Sequence, residues 1–196
     1  MKLRRREVVS QLLRERGDLL VVAGLGSTTW DITAAGDAPL SFPTWGAMGQ
    51  AAMIGLGLAL VQPKRRVLVV TGDGEMLMGL GALATIGVQQ PANLTVVVID
   101  NERYGETGMQ RTHTAYGIDL AAVAAACKFK HVVTATIQIE PLRELVYNTS
   151  GPNFAAVKVA DEKLPLVLPP NDGVLLKTRF RRALLGDSAD VLPEER

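Results

Sequence analysis

Apolar residues recur along this chain in two rhythms, one near 3.6 residues and one continuous over short runs, and the two alternate. Leu3–Arg16 sets Val8, Val9, Leu12 and Leu13 on one helical face and its arginines elsewhere. Leu19–Val22 follows as a short buried strand closing in Gly24-Leu25-Gly26, and Ser27-Thr28-Thr29 stands where a helix cap is needed. Ala47–Leu60 reads as a helix of small residues. Arg66–Thr71 and Leu94–Asp100 are β-branched runs that read as strands, with one helix predicted between them over Glu75–Val88 and stopped before Pro91. An Ala-rich helix over Asp119–Cys127, a strand over His131–Ala135, a helix over Glu140–Tyr147 and a strand over Phe154–Val159 complete the pattern. Apolar strands alternating with helices predict an α/β fold: a doubly wound parallel sheet with helices on both faces, in a single domain with right-handed crossovers. Residues 1–160 form that domain; 161–196 read as a C-terminal extended arm, marked by Pro165, Pro169, Pro170 and Asn171-Asp172-Gly173, with a short helix over Val174–Leu185.

Composition narrows the partners. With 21 Lys and Arg against 20 Asp and Glu, the net charge of +1 gives no electrostatic reason for a nucleic-acid or membrane partner. The single cysteine, Cys127, excludes an internal disulfide framework and any CxxC metal or iron–sulfur site, and reads as a packed thiol. No apolar signal core follows the charged first residues, and Gly49, Gly55 and Gly57 interrupt the most apolar stretch, so a soluble cytoplasmic protein is expected. Arg4-Arg5-Arg6 reads as a solvated helix face. Gly79-Leu80-Gly81-Ala82-Leu83-Ala84 has the letters of a dinucleotide fingerprint but falls inside a predicted helix, where that chemistry has no use for it.

The candidate chemistry sits at strand ends. Gly72-Asp73-Gly74-Glu75 closes one strand and opens a helix, and Asp100-Asn101 closes the next. Helix N-termini offer free N–H groups to phosphate, Gly74 allows close backbone approach, and Asp73 is a hard oxygen ligand suited to magnesium. Alone, the first motif is equally an ordinary strand-to-helix turn with Glu75 as a cap. If the two strands are neighbours, Asp73 and Asn101 end on one edge and can share a cation, leaving room for a diphosphate.

Gly-Asp-Gly, 26 residues, then Asn resembles the thiamine diphosphate motif of 2-oxoacid decarboxylases and acetolactate synthases. The resemblance implies thiamine diphosphate and Mg2+ as cofactors, with Asp73, Asn101 and the backbone carbonyl of Arg103 as metal ligands. It implies cofactor contacts at Gly74, Glu75, Tyr104 and Gly105, and at Gly26, Ser27 and Thr28 in a diphosphate-contacting loop. In Trp45-Gly46-Ala47-Met48-Gly49 it places Met48 as the wedge that bends the cofactor and the Gly46 carbonyl as acceptor for its amino group. Glu106-Thr107-Gly108-Met109-Gln110-Arg111-Thr112 is similar to a stretch of the β subunits of sulfopyruvate and phosphonopyruvate decarboxylases, departing at Glu106 and Met109. Thr107, Gln110 and His113 become substrate-side candidates, for a short 2-oxoacid.

Thiamine enzymes of this kind activate the cofactor with a glutamate on a separate pyrimidine-binding domain, and 196 residues are filled by the domain already assigned. The resemblance therefore implies a diphosphate-binding subunit of a decarboxylase, active with a pyrimidine-binding α subunit in an α2β2 or higher hetero-oligomer. An acetolactate synthase-like carboligase, a 2-oxoacid oxidoreductase subunit and a non-catalytic interaction module stand as alternatives.

Overall fold

Six strands carry the fold in a computed structural model that describes residues 2–135 and 138–190. They are β1 (Leu20–Ala23), β2 (Ser41–Pro43), β3 (Val67–Gly72), β4 (Leu94–Asp100), β7 (His131–Ala135) and β8 (Asn153–Lys158). All pair in parallel, in the order β2-β1-β3-β4-β8-β7. Successive side chains of β3 go to opposite faces: Val67 and Val69 join one core, Leu68 and Val70 the other. The first core packs α3 (Ala51–Val61), α4 (Asp73–Met78), α5 (Ala82–Gln89) and α6 (Leu120–Ala126) against the sheet, with Phe180 of α8 (Gly173–Leu185). The second packs α1 (Arg5–Leu13), α2 (Ser27–Ala34) and α7 (Glu140–Tyr147). A strand buried on both faces must be apolar throughout, which is why these runs are legible as strands. The expected doubly wound α/β sheet is present. Among the described residues no helix is long and apolar enough to cross a membrane.

Four expectations need correction. The helix expected over Glu75–Val88 is two, α4 and α5, broken at Gly79-Leu80-Gly81. Gly79 abuts Gly49, which sits at φ +76, and a Cβ on Gly49 would lie 2.9 Å from the Gly79 amide nitrogen. The same contact delays α3, which starts at Ala51 and not at Ala47. The hydroxyls of Ser27-Thr28-Thr29 do not cap α2: its N-cap is Gly26, and Thr28 and Thr29 donate backwards to the carbonyls of Leu25 and Gly24. Arg4-Arg5-Arg6 is not one solvated face, since Arg5 is buried against Asp31. Short β2 and the hairpin β5 (Arg103–Tyr104) with β6 (Gln110–Arg111) carry too few residues for any period to register.

Beyond β8, residues 161–172 run without regular structure across the β2 side before α8. The Pro165 carbonyl accepts from Arg6 Nη2 (2.8 Å) and the Pro170 carbonyl from Trp45 Nε1 (3.1 Å). Arg179 of α8 clasps Asp37 through both Nη atoms, and Phe180 meets Phe42. Residues 191–196 of the expected arm lie outside the described residues.

Candidate functional site

The order β2-β1-β3 means that the chain leaves β1 in one direction and returns on its other side at β3. A crevice opens at such a switch point, beyond the carboxyl ends of the strands. Here it is a cleft of about 130 Å³, lined by residues after β1 (Leu25, Ser27, Thr28), after β3 (Gly72, Asp73, Gly74, Glu75) and after β4 (Asn101, Arg103). Tyr104, Gly105, Glu106 and Thr107 of the hairpin close one side, and Met48 and Met78 lie on the wall.

β3 and β4 are neighbours, and the pairing of Gly72 with Ile99 brings Asp73 level with Asp100 one step further on. Asp73 is 1% exposed. Burial pushes its pKa up to about 6; the Thr112 hydroxyl works against that rise and the nearby Asp100 charge adds to it. Thr112 Oγ1 lies 2.5 Å from Asp73 Oδ2, Thr114 Oγ1 lies 2.8 Å from Asp100 Oδ1, and the two hydroxyls lie 2.9 Å apart. Thr114 Oγ1 also reaches Asp73 Oδ2 at 3.3 Å, so the two hydroxyls tie the two carboxyl groups into one hydrogen-bonded cluster. Lys158 Nζ balances Asp100 at 2.8 Å and Glu102 at 2.9 Å, leaving Asp73 the carboxylate of this group without a cation of its own. Asn101 Oδ1 accepts from the Arg103 amide at 3.0 Å, which fixes the turn after β4.

Glu75 turns inward. Its Oε2 accepts from the Leu25 amide (2.7 Å) and Thr71 Oγ1 (2.8 Å), so it staples the loop after β1 to the end of β3 and does not cap α4. Burial raises its pKa, against those hydrogen bonds. Gly24 has no room for a Cβ beside that carboxylate, and Gly74 none beside the Tyr104 ring, whose Cδ1 would lie 2.6 Å away. Both glycines answer to a close approach.

The cleft thus gathers Ser27, Thr28, Met48, Asp73, Gly74, Glu75, Asn101, Arg103, Tyr104, Gly105 and Thr107 from the sequence-based candidates. Gly26 sits just behind it at φ +70, against the Glu106 carboxylate. Gly46 is exposed and not among the lining residues. Gln110 and His113 are exposed and outside it: Gln110 is bonded to Thr107, and His113 Nδ1 lies 3.4 Å from the Tyr104 hydroxyl. Sequence reading missed Arg5, Thr112 and Thr114. Arg5 gave no signal because its partner Asp31 is 26 positions away, whereas Thr112-x-Thr114 after a strand-end loop was a signal available to read.

Among the described residues no group of three or more His, Cys, Asp and Glu could hold a metal. What the strand ends offer is two buried carboxyl groups, Asp73 and Asp100, one amide and backbone carbonyls, a hard oxygen set of the kind that suits a phosphate-bound magnesium.

Comparison with known proteins agrees in kind. Residues 27–157 match the family description "Thiamine pyrophosphate enzyme, C-terminal TPP binding domain". The chain is 37% identical to the sulfopyruvate decarboxylase subunit beta of Methanothermobacter thermautotrophicus, over 97% of this chain and all of that one. It is 40% identical to the phosphonopyruvate decarboxylase of Streptomyces viridochromogenes, over 72% of this chain and 36% of that longer one. A solved Mycobacterium smegmatis protein, named for thiamin diphosphate dependence, shares the fold with a TM-score of 0.69 and 22% identity, over 82% of this chain and 32% of its own.

Proposed function

The chain belongs to the thiamine pyrophosphate enzyme family, and we propose that it is the diphosphate-binding subunit of a magnesium-dependent decarboxylase for a short 2-oxoacid. The observation that carries this reading is the placement of Asp73 and Asn101 just beyond the ends of adjacent strands, in one cleft at the switch point. Asp73, Asn101 and the Arg103 carbonyl would hold the magnesium, and the residues of Gly26–Thr28 with Gly74, Glu75, Tyr104 and Gly105 the diphosphate. A divalent cation at Asp73 would offset the cost of ionising a carboxyl whose pKa burial raises to about 6. Thiamine diphosphate supplies a carbon nucleophile and an electron sink for loss of carbon dioxide. What the chain supplies is anchoring, orientation and exclusion of water: Met48, 54% exposed and on the cleft wall, is placed to support a bent cofactor, with Gly46 beside it.

The size of the cleft supports a partner: small-molecule sites usually enclose ~300–1,000 Å³, and a second surface would add to the smaller volume found here. The kinship supports this, because the relative matched from end to end is named as a β subunit, while the phosphonopyruvate decarboxylase is a longer single chain. The partner is a pyrimidine-binding α subunit that carries the activating glutamate, in an α2β2 or higher assembly in the cytoplasm. Residues 1–160 are the cofactor domain, and 161–196 its C-terminal arm.

The substrate is a 2-oxoacid with a second anionic group, of the sulfopyruvate or phosphonopyruvate kind. Thr107 stands at the cleft, Gln110 and Arg111 stand on the hairpin and His113 on the turn that follows it, on the side that would face a completed site. The test is calorimetric titration of the purified chain with thiamine diphosphate, with magnesium and with chelator, followed by carbon dioxide release with and without a co-purified partner. Metal-dependent binding, and turnover only with the partner, are the expected results. Absence of binding, or robust turnover by the chain alone, overturns the reading.

A further inference from the structure

Arg5 opens α1 and is 5% exposed, a second cation beside Arg6 at the same buried carboxylate. Its Nη1 donates to the Ser27 carbonyl at 3.2 Å and pairs with Asp31 Oδ2. Arg6 then gives Nε to the other oxygen of Asp31 at 2.9 Å. Two guanidinium groups share one buried carboxylate, so the cluster retains a net positive charge. Burying an ion costs several kcal/mol unless something compensates it. One arginine and one aspartate would already have balanced.

The excess charge is aimed. Arg5 lines the cleft with Leu25, Ser27, Thr28 and Asp73. Both of its hydrogen bonds to the protein run through Nη1, which leaves the rest of the guanidinium fork for something in the cleft. Its bond to the Ser27 carbonyl fixes the fork relative to the first turn of α2, whose Ser27 and Thr28 line the same cleft. A planar fork with one arm anchored is suited to a phosphate oxygen, and Arg keeps its charge at any working pH. Arg103, also at the cleft, already pairs with Asp161 at 3.2 Å, and Glu106 brings negative charge to the rim. Arg5 is therefore the cation best placed for an anion on this wall, and it lies outside the residues matched by the family description.

We propose that Arg5 is a direct binding residue for the cofactor's diphosphate, held in position by Ser27 and Asp31. The inference rests on the proposed cofactor reading and extends it to a residue on the opposite face of the sheet from α4.

The test measures affinity and does not depend on turnover. Thiamine diphosphate, inorganic diphosphate and unphosphorylated thiamine are each titrated, with magnesium, into the wild-type chain, Arg5→Lys, Arg5→Met and the double variant Arg5→Met/Asp31→Asn. Arg5→Met should bind thiamine diphosphate and inorganic diphosphate at least tenfold more weakly and thiamine without change, with Arg5→Lys in between. The double variant removes the ion pair as a pair, so its melting temperature should recover toward wild type while its diphosphate affinity stays low. Recovery of affinity together with stability overturns the proposal and makes Arg5 a brace for the loop; so does unchanged affinity in Arg5→Met. A wild-type chain that binds inorganic diphosphate and not thiamine diphosphate refutes the cofactor reading while the Arg5 comparison still decides. Binding of neither refutes both.

Discussion

At the floor of the cleft Asp73 is almost wholly buried, held by Thr112, with Thr114 and Asp100 in the same chain of bonds. On the hairpin at its rim, Thr107 and Gln110 are exposed and bond to each other: Thr107 Oγ1 donates to Gln110 Oε1 and Gln110 Nε2 to the Thr107 carbonyl, both at 2.9 Å. The floor is built from strand ends, whose positions the sheet register fixes. The rim is a two-residue pairing between Arg103–Tyr104 and Gln110–Arg111, with little core beneath it. The contrast teaches how the proposed work divides. A charged group that must be held in one place belongs on the floor, while the rim is left free to be shaped by whatever packs against it.

The largest effect that tests this contrast is at Asp73. Asp73→Ala removes a buried floor carboxylate that lacks a cation, and thiamine diphosphate affinity in magnesium should fall at least 100-fold, roughly 2.7 kcal/mol. Calorimetry on wild type and variant checks it; equal affinities would falsify the metal assignment.

Next comes pH. The folded-state pKa of Asp73 is raised from 3.8 to about 6, so its contribution to stability is complete below 3.8 and lost as pH rises through about 6. In chelator, the wild-type chain should lose on the order of 2 kcal/mol between pH 4 and 7 relative to Asp73→Asn, which has no carboxyl there to ionise. Magnesium with thiamine diphosphate should restore it by mass action. Urea unfolding midpoints at the two pH values give the comparison, and parallel behaviour of the two chains would rule out Asp73 as a buried, strained carboxylate.

How much of this was legible depended on distance along the chain. β3 and β4 are contiguous apolar runs, so the sheet and the two strand ends carrying Asp73 and Asn101 could be read directly. What escaped lies between residues far apart in sequence. Gly79 breaks its helix because Gly49 presses on it, Glu75 turns inward because the Leu25 amide is 50 positions away, and Arg5 is buried because Asp31 receives it. Local periodicity holds no record of such meetings. Glu75, read as a cap from its place after Gly74, shows the cost of assigning a polar side chain by its nearest neighbours alone.

A smaller effect belongs to the hairpin itself. Met109 adopts φ +64, a left-handed conformation that costs a side-chain-bearing residue about 1 kcal/mol. Its sulfur also lies 3.9 Å from where a Cβ on Gly105 would stand, so the side chain folds back over the hairpin. Met109→Gly should therefore stabilise the chain by about 0.5 kcal/mol, the relief of strain being partly offset by the greater freedom of glycine in the unfolded chain. A clear fall in the unfolding midpoint would mean that Met109 packing outweighs its backbone strain.

The smallest expected effect is the one that most sharply separates rim from floor. Gln110→Ala deletes an exposed bond pair with Thr107, and exposed bonds of this kind contribute about 0.5–1.5 kcal/mol at most to local order. His113 stands further out, 3.4 Å from the Tyr104 hydroxyl and outside the cleft lining. Neither residue touches Asp73, Asn101 or the loop after β1, so Gln110→Ala and His113→Ala should change thiamine diphosphate affinity of the isolated chain less than twofold. With the partner present the expectation reverses, because in the proposed complex a second surface would turn the hairpin from an outer face into a wall of the substrate site. KM for the 2-oxoacid should then rise at least fivefold in Gln110→Ala, with cofactor affinity still unchanged. The two measurements answer different questions. A tenfold loss of cofactor affinity in the isolated chain would make the hairpin part of the floor, whereas an unchanged KM in the complex would leave Gln110 as nothing more than the clasp of its own turn.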